Sequence, residues 1–167
     1  VADDPQGNYF TPEYLAYVVP GGNGYVDTSG WYEQGDGGWV YSNGNVVPSN
    51  YNDFLYNNSV TYEIQDADGN TIGDEGDLLG GFHNGELRGI IGSFTVAFGP
   101  NEGKIMFPLM MFSNTSGSET MNFKFYDASE DAVSDLPESY LFIADDPQGD
   151  FFTPEYLTYT APSGGDD

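Results

Sequence analysis

The sequence predicts an all-β fold, and three observations support this. Helical periodicity is almost absent over the 167 residues, and 23 Gly and 10 Pro, which weaken or break helices, are spread along the chain. Short runs rich in Val, Ile, Tyr, Phe and Thr lie between them, a pattern typical of β-sandwiches and barrels. Aromatic residues make up 16% of the chain, enough to build a core. We therefore expect an antiparallel β-sandwich of immunoglobulin-like or jelly-roll-like type.

The clearest strands lie in the middle of the chain. Residues 58–65 alternate between apolar and polar side chains and end at an acidic turn that contains Gly69. Residues 78–83 and 86–91 flank Asn84-Gly85, the residue pair most typical of a tight two-residue turn. These two runs predict a β-hairpin.

The remaining strands are expected, in chain order, over residues 93–98, 104–112, 121–127 and 140–143. Pro108 interrupts the longest apolar run, so we expect a central strand with a bulge there, or two short strands. Phe123 and Phe125 should point to one face of their strand, and Lys124 and Tyr126 to the other.

Two regions are less regular. Residues 21–50 are rich in Gly, Asn and Tyr, and fit either a short hairpin around Trp31 and Trp39 or a long ordered loop. Helical turns are expected only after Thr11 and Thr153, because each Thr can cap a helix whose first position is the following Pro.

Two segments, one near each end of the chain, have nearly the same amino-acid sequence. Residues 2–20 read ADDPQGNYFTPEYLAYVVP and residues 144–162 read ADDPQGDFFTPEYLTYTAP, identical at 14 of 19 positions with an offset of 144 − 2 = 142 residues. We call them the first copy and the second copy. We interpret the chain as a window on a tandem array: a tail of the preceding repeat (1–20), a β-sandwich module (21–143) and a second junction segment (144–167). The alternative is one domain with two similar edge elements.

The charge is strongly acidic. The chain carries 27 Asp and Glu against Arg88, Lys104 and Lys124, for a net charge of −24. Nucleic acids and anionic membrane surfaces would repel it, so neither is expected as a partner. There is no cysteine, which excludes disulfides and thiol chemistry. No apolar run approaches the roughly 20 residues of a membrane-spanning helix, so no membrane insertion is expected.

Four stretches carry a family resemblance: residues 77–89 (DLLGGFHNGELRG), 108–119 (PLMMFSNTSGSE), 123–129 (FKFYDAS) and 135–138 (DLPE). They resemble the β-sandwich repeats of large secreted and cell-surface proteins of marine bacteria, where a GAF-x-NG-E-x-RG hairpin precedes a YSN-x-SGE…FKFYDA strand pair. The resemblance covers roughly residues 58–145. It implies an extracellular, non-enzymatic building block.

Catalytic chemistry is not indicated. The single His83 lies beside the predicted hairpin turn, and nucleophilic catalysis would have to be built around it. The lack of Cys and of further His also disfavours zinc, and no glycine-rich phosphate loop is present. We expect no catalytic residues and no organic cofactor.

Calcium is the one cofactor expected, since it takes six to eight oxygen ligands. The first candidate site is the acidic loop, with Asp66, Asp68, Asn70, Asp74 and Asp77; an ordinary acidic β-turn is the alternative. The second is the junction, where clustered carboxylates repel unless a cation bridges them, and the alternative is a solvated acidic turn. Its candidate ligands are Asp3, Asp4, Asp145 and Asp146.

Both copies of the repeated segment are too apolar for a free linker. We expect the first copy to pack against the module that follows it, adding a strand to an open sheet edge. The alternative is a strand that closes its own module. The predicted inter-module contacts are Tyr9, Phe10, Tyr14, Leu15 and Tyr17, and in the second copy Phe151, Phe152, Tyr156, Leu157 and Tyr159.

The sequence thus predicts a structural repeat of an extracellular fibre, stalk or adhesin shaft on a cell surface. Its partners are neighbouring copies of the same module, in one long polypeptide or as assembled subunits, joined through ADDPQG-x-x-FTPEYL. The alternative function is a carbohydrate- or surface-binding module, with a glycan or surface ligand on exposed Trp31, Trp39 and Tyr41.

Overall fold

The computed structural model describes residues 40–42, 45–47 and 51–161. Within these ranges the chain forms eleven strands, one 3-10 turn at Tyr51–Asp53 and no α-helix. The strands are β1 (Val40–Ser42), β2 (Asn45–Val47), β3 (Tyr56–Gln65), β4 (Thr71–Ile72), β5 (Leu78–His83), β6 (Glu86–Gly92), β7 (Phe94–Thr95), β8 (Ile105–Ser113), β9 (Thr120–Asp127), β10 (Ala132–Leu141) and β11 (Glu155–Thr158).

Two sheets make up the body of the fold. One is antiparallel with the strand order β10-β9-β5-β6, and the other has the order β11-β3-β8-β7. In the second sheet β11 runs parallel to β3, while the other pairs are antiparallel. The short β4 pairs with the last two residues of β3, and β1 and β2 form a separate hairpin. The expected all-β, sandwich-like fold is confirmed.

The main core lies between the two sheets. Because side chains alternate between the faces of a strand, every second residue of the facing strands enters this layer. Tyr62 meets Phe123 edge-on with ring centroids 5.1 Å apart, and Phe107 meets Phe125 at 6.2 Å. The core side chains of β3, β8 and β9 are all at most 4% exposed: Val60, Tyr62, Ile64, Phe107, Leu109, Met111, Met121, Phe123 and Phe125.

A smaller apolar cluster lies on the other face of the four-stranded sheet. It contains Leu78, Phe82, Ile90 and Tyr126. The expected division of β9 between two faces is therefore confirmed, although Tyr126 is as fully buried as the phenylalanines on the opposite face. Its hydroxyl donates to a carboxylate oxygen of Asp131 at 2.6 Å, which satisfies the buried polar group.

The hairpin prediction is confirmed. β5 and β6 pair antiparallel around Asn84 and Gly85, whose φ angles of 51° and 82° are both left-handed. Two such residues give the turn whose twist matches that of the flanking strands. The strand expected over residues 58–65 is also confirmed as most of β3.

Pro108 does not break its strand. β8 pairs with β3 in continuous register from Tyr62 to Tyr56, and Pro108 lies opposite Thr61 without a bulge. β7 pairs only with Ile105 and Met106 on the other side of β8. The Thr61 N–H donates to Gln148 on the other side of β3, so Thr61 and Pro108 form a non-hydrogen-bonded pair, and the missing N–H of Pro108 removes no ladder hydrogen bond.

Two strand lengths differ from expectation. Within residues 93–98 the strand is only Phe94–Thr95; the Val96 N–H still donates to the Lys104 carbonyl at 2.9 Å, and the chain then turns at Gly99. β10 begins at Ala132, well before the expected residue 140. The first part of this strand was not predicted because it contains Pro137, which disfavours a strand. In the structure Pro137 lies at a register shift between Leu136 and Ser139, on an edge strand of the sheet.

Candidate functional site

The second copy of the repeated segment runs along the open edge of β3. Gln148 donates its N–H to the Ser59 carbonyl at 3.1 Å, and its carbonyl accepts from the Thr61 N–H at 3.0 Å. Farther along, β11 pairs in parallel with residues 62–65. Tyr159 N–H then donates to the last carbonyl of β3 at 2.8 Å. The segment is therefore an integral strand of this module.

The prediction of a helical turn after Thr153 is wrong. Asp150 Oδ1 accepts hydrogen bonds from the N–H groups of Phe152, at 2.8 Å, and Thr153, at 2.7 Å, which fixes a tight turn instead. These bonds hold the pKa of the Asp150 carboxyl below its usual range. A residue before proline favours extended backbone, and the free edge of β3 supplies partners for a strand. β11 forms there as a result. The matching turn after Thr11 lies outside the described residues.

Asn58 holds the start of the segment. This side chain of β3 is only 3% exposed. Its Oδ1 accepts from the Asp146 N–H at 2.7 Å, and its Nδ2 donates to the Asp146 carbonyl at 2.9 Å and to the Tyr140 hydroxyl at 2.7 Å. Burial raises the pKa of that hydroxyl, so it stays protonated. One buried amide thus binds both backbone groups of Asp146 whatever side chain stands there.

Two residues of the segment have left-handed backbone. Gly149 has φ 71°, and a Cβ added to it would lie 2.7 Å from the Thr61 carbonyl oxygen. Only glycine fits both this conformation and this close approach. Asp145 has φ 57°, which aspartate tolerates better than most residues. The first copy has the same two residue types, Gly7 and Asp3.

Side chains of the segment also fill the core. Leu157 is 1% exposed and belongs to the main hydrophobic cluster. The Tyr159 ring meets Phe125 edge-on at 5.5 Å, and Pro154 is buried. Burying one leucine side chain contributes roughly 1.5–3 kcal/mol, so the segment stabilises the module beyond its backbone hydrogen bonds.

The turn of the segment carries an aromatic patch, defined as Phe94, Phe98, Phe151 and Phe152. Phe151 stacks on Phe94 at 4.9 Å and 16°, and Phe152 lies 6.5 Å from Phe98. Asn101 Nδ2 donates to the carbonyls of both Phe151 and Phe152. Phe98 is 69% exposed and Phe152 52%. The patch is therefore held in place and still open to solvent.

The predicted inter-module residues of the second copy divide into two groups. Leu157 is buried within its own module, and Phe151 and Tyr159 pack there half-buried, whereas Phe152 and Tyr156 are more than half exposed. Their contact with a neighbouring module stays a prediction. The corresponding residues of the first copy, from Tyr9 to Tyr17, lie outside the described residues.

The outer edge of β11 is partly blocked. The Thr158 N–H, which points away from β3, donates to Glu138 Oε1 of β10 at 3.0 Å. Glu138 follows Pro137 at the register shift of β10, which turns its carboxylate toward the other sheet. Such protection discourages further strands from adding to this edge.

The first calcium candidate is a self-contained turn. Asp66 Oδ1 accepts from the N–H groups of Asp68 and Asn70, both at 2.9 Å, and Oδ2 accepts from Asn70 Nδ2 at 2.9 Å. The Asn70 amide, followed by these backbone groups, lowers the pKa of the Asp66 carboxyl. Both carboxylate oxygens of Asp66 thus accept hydrogen bonds from within the loop.

Asp77 holds a different position from the rest of the acidic loop. Its carboxylate is 2% exposed and accepts from the Asp74 N–H at 2.6 Å and the Ala128 N–H at 2.9 Å. At the junction, Asp146 Oδ2 accepts from Gln148 Nε2 at 2.9 Å. Within the described part of the chain, no three Asp, Glu, His or Cys side chains are grouped so that they could hold a metal ion. Calcium stays a prediction, which melting with and without a chelator would test. Asp3 and Asp4 lie outside the described residues.

His83 lies beside the Arg88–Glu119 ion pair under the β5–β6 hairpin. Its Nδ1 lies 2.9 Å from the Thr120 carbonyl and its Nε2 3.6 Å from Glu119. Arg88, 5% exposed, donates to Glu119 at 2.6 Å and to the Phe112 carbonyl at 3.1 Å. Its guanidinium also lies 4.6 Å from the Phe54 ring centroid. These contacts tie the hairpin to the ends of β8 and β9.

Sequence reasoning missed the residues that hold the segment in place. Asn58, Asn101 and Glu138 contact it from 88, 50 and 20 residues away, and no local pattern marks them. A signal was available for Gln148 and Gly149, because both recur in the first copy.

The alternative ligand platform is not described. Trp31 and Trp39 lie outside the described residues, and of Tyr41 only the backbone, in β1, is described. In the described part of the chain, no helix is long and apolar enough to cross a membrane. Comparison with protein-family models, with curated proteins and with solved structures gave no match.

Proposed function

We propose that this chain is a structural repeat of an extracellular fibre, stalk or adhesin shaft, in which successive modules are joined through the repeated segment. The observation that carries the proposal is that the segment recurring after 142 residues is a strand of the module. Each period of the sequence therefore brings one edge strand with it. The resemblance over residues 58–145 supports the extracellular location in this proposal.

The exposed side of the segment supports a contact with the next module. Phe152 and Tyr156 keep 52% and 54% of their surface exposed. In an array, Phe152 in the turn before β11 and Tyr156 on β11 both lie in the last segment of a module before the next module begins. Phe152 also lies beside the exposed Phe98, with ring centroids 6.5 Å apart, and grouped exposed aromatic side chains are typical of interfaces.

The surface charge supports separation of neighbouring shafts. Each of the three basic side chains is engaged with a carboxylate: Arg88 with Glu119, Lys104 with Glu63 and Lys124 with Asp135. The three basic side chains offset only three of the 27 acidic groups, and the net charge of the chain remains −24. Like charge keeps such proteins soluble and opposes lateral association at low ionic strength.

The test is the shape of proteins with one, two and three successive copies of residues 20–161, which span one 142-residue period. We expect the maximum dimension from small-angle X-ray scattering to rise by the same increment per copy, and electron micrographs to show straight rods. Phe152→Ser with Tyr156→Ser in every copy is the matched control. It should keep each module folded but give bent, flexible particles. Compact particles that thicken with each copy would refute the proposal.

A further inference from the structure

The β3 edge accepts one strand, whereas the chain contains two segments that fit it. β8 and β4 occupy one side of β3, and residues 144–159 of the second copy occupy the other. The first copy repeats that segment over residues 2–17. Within the described residues, the β3 edge holds only one of these two matching segments.

The contacts that hold residues 144–159 are of two kinds, and both are available to the first copy. The ladder to β3 and the Asn58 bonds to residue 146 use backbone atoms, so they depend little on side chains. Most of the side-chain contacts come from residue types that are unchanged in the first copy. Gln148, Gly149, Pro154, Leu157 and Tyr159 correspond to Gln6, Gly7, Pro12, Leu15 and Tyr17.

The differences between the copies fall where the structure tolerates them. Asp150 acts through Oδ1, which the corresponding Asn8 also has. Phe151 is half-buried on Phe94, and Tyr9 adds only a hydroxyl there. The other three differences are at Thr158, half-buried, and at residues 160 and 161, both exposed. None of the five is a fully buried or left-handed position.

We propose that residues 2–17 of a second copy of this chain occupy the β3 edge in place of residues 144–159, so that chains join by exchanging one strand. This rests on the proposed joining of copies and names the contact that makes it. The exchanged strand remakes the contacts of the resident one, so the exchange changes little in contact free energy. The resident strand keeps the advantage of a tethered competitor, so chains that refold together exchange most readily.

Disulfide trapping tests the exchange, because the native chain has no cysteine. Gln65 pairs with Thr158 in the parallel register, and the counterpart of Thr158 is Ala16. A full-length chain with Gln65→Cys and a mass tag is refolded together with a full-length chain with Ala16→Cys, then oxidised. We expect a disulfide-linked heterodimer, at least tenfold more abundant than with Glu86→Cys, an exposed control on β6, in place of Gln65→Cys.

A second variant separates loss of exchange from loss of folding. Leu15→Asp in the donor chain should abolish the heterodimer without changing its unfolding midpoint, because residues 144–159 still close its own module. Heterodimer no more abundant than in the Glu86→Cys control overturns the proposal. So does an exclusively intrachain disulfide in a chain carrying both Gln65→Cys and Ala16→Cys. If the tandem copies form straight rods in electron micrographs but the interchain disulfide does not form, strand exchange is rejected and the proposed function still stands.

Discussion

Gly149 packs against the carbonyl oxygen of Thr61, where an added Cβ would come within 2.7 Å of that oxygen. With its φ of 71°, Gly149 is the position of the second copy least able to accept another residue. Gly7, its counterpart, lies in the first copy, whereas the β3 edge of the same chain is already paired with residues of the second copy. The same substitution at the two positions therefore separates their roles.

We predict that Gly149→Ala destabilises the chain by about 2–3 kcal/mol, through strain and through displacement of the strand. Gly7→Ala should change the unfolding free energy by less than about 0.5 kcal/mol. Urea denaturation followed by tyrosine fluorescence measures both values. Equal effects of the two substitutions would mean that residues 144–159 have no special place on β3.

Lys104 and Lys124 form ion pairs that differ mainly in the burial of the carboxylate. Lys104 lies 3.5 Å from Glu63, whose side chain is 0% exposed, whereas Lys124 lies 2.6 Å from Asp135, which is 78% exposed. No described residue gives Glu63 Oε1 a hydrogen bond. The buried carboxylate therefore depends on its remaining partners.

We predict that Lys104→Met lowers the unfolding free energy by about 2–3 kcal/mol, since it leaves a buried charge without its cation. Lys124→Met should cost less than about 1 kcal/mol because its partner is in water. The two midpoints at pH 7, measured in the same urea series, make the comparison. Equal losses for the two variants would argue against a buried Glu63.

Glu119 should make the protein sensitive to acid. Hydrogen bonds from Arg88, with a further one from Ser113, lower the pKa of this carboxyl to about 2 from 4.5. A lowered pKa in the folded state contributes stability that is present above pH 4.5 and is lost as the pH falls toward 2. In Glu119→Gln, the free energy of unfolding should therefore change less between pH 4.5 and pH 2 than in the parent. At pH 7 this substitution should lower it by about 2–3 kcal/mol, because Arg88 loses a charged partner. Parallel pH–stability curves for variant and parent would contradict this role.

Asp77 should act in the opposite direction. Burial, with weaker repulsion from Asp127 and Asp74, raises its pKa to about 6 from 3.8. The folded chain then binds this proton more tightly than the unfolded chain. The contribution of the Asp77 proton to the free energy of unfolding is therefore complete below about pH 4, and it is lost as the pH rises through 6. Relative to Asp77→Asn, the parent should lose up to about 3 kcal/mol between pH 4 and pH 7. Unfolding free energies at four pH values test this, and a constant difference would exclude it.

Local patterns predicted those parts of the fold that local chemistry determines. The alternation of residues 58–65 predicted β3, and Asn84-Gly85 predicted the β5–β6 turn, because each signal lies within the element it forms. The helical turn after Thr153 was wrong since Asp150 and the distant β3 edge decide that backbone. Neither is visible in a helix-start signature.

The sequence was enough to predict which residues form the candidate site, but not which strand they pair with. The duplication alone pointed to residues 144–159, and their apolar character indicated burial. The parallel pairing with β3 brings together residues about 90 positions apart, as with Asn58 and Asp146. Long-range pairing of this kind leaves no periodic trace, so only the folded chain shows which edge is used.

Hydrogen exchange at the Thr61 amide tests the central claim most directly, because this N–H donates to Gln148 of the second copy. If residues 144–159 form a strand of the module, this amide should open only with global unfolding, with an exchange free energy within about 1 kcal/mol of the core amides of β8. Gly149→Ala should lower it. Exchange at Thr61 as fast as in an unstructured peptide, while β8 stays protected, would show that the second copy does not close the β3 edge.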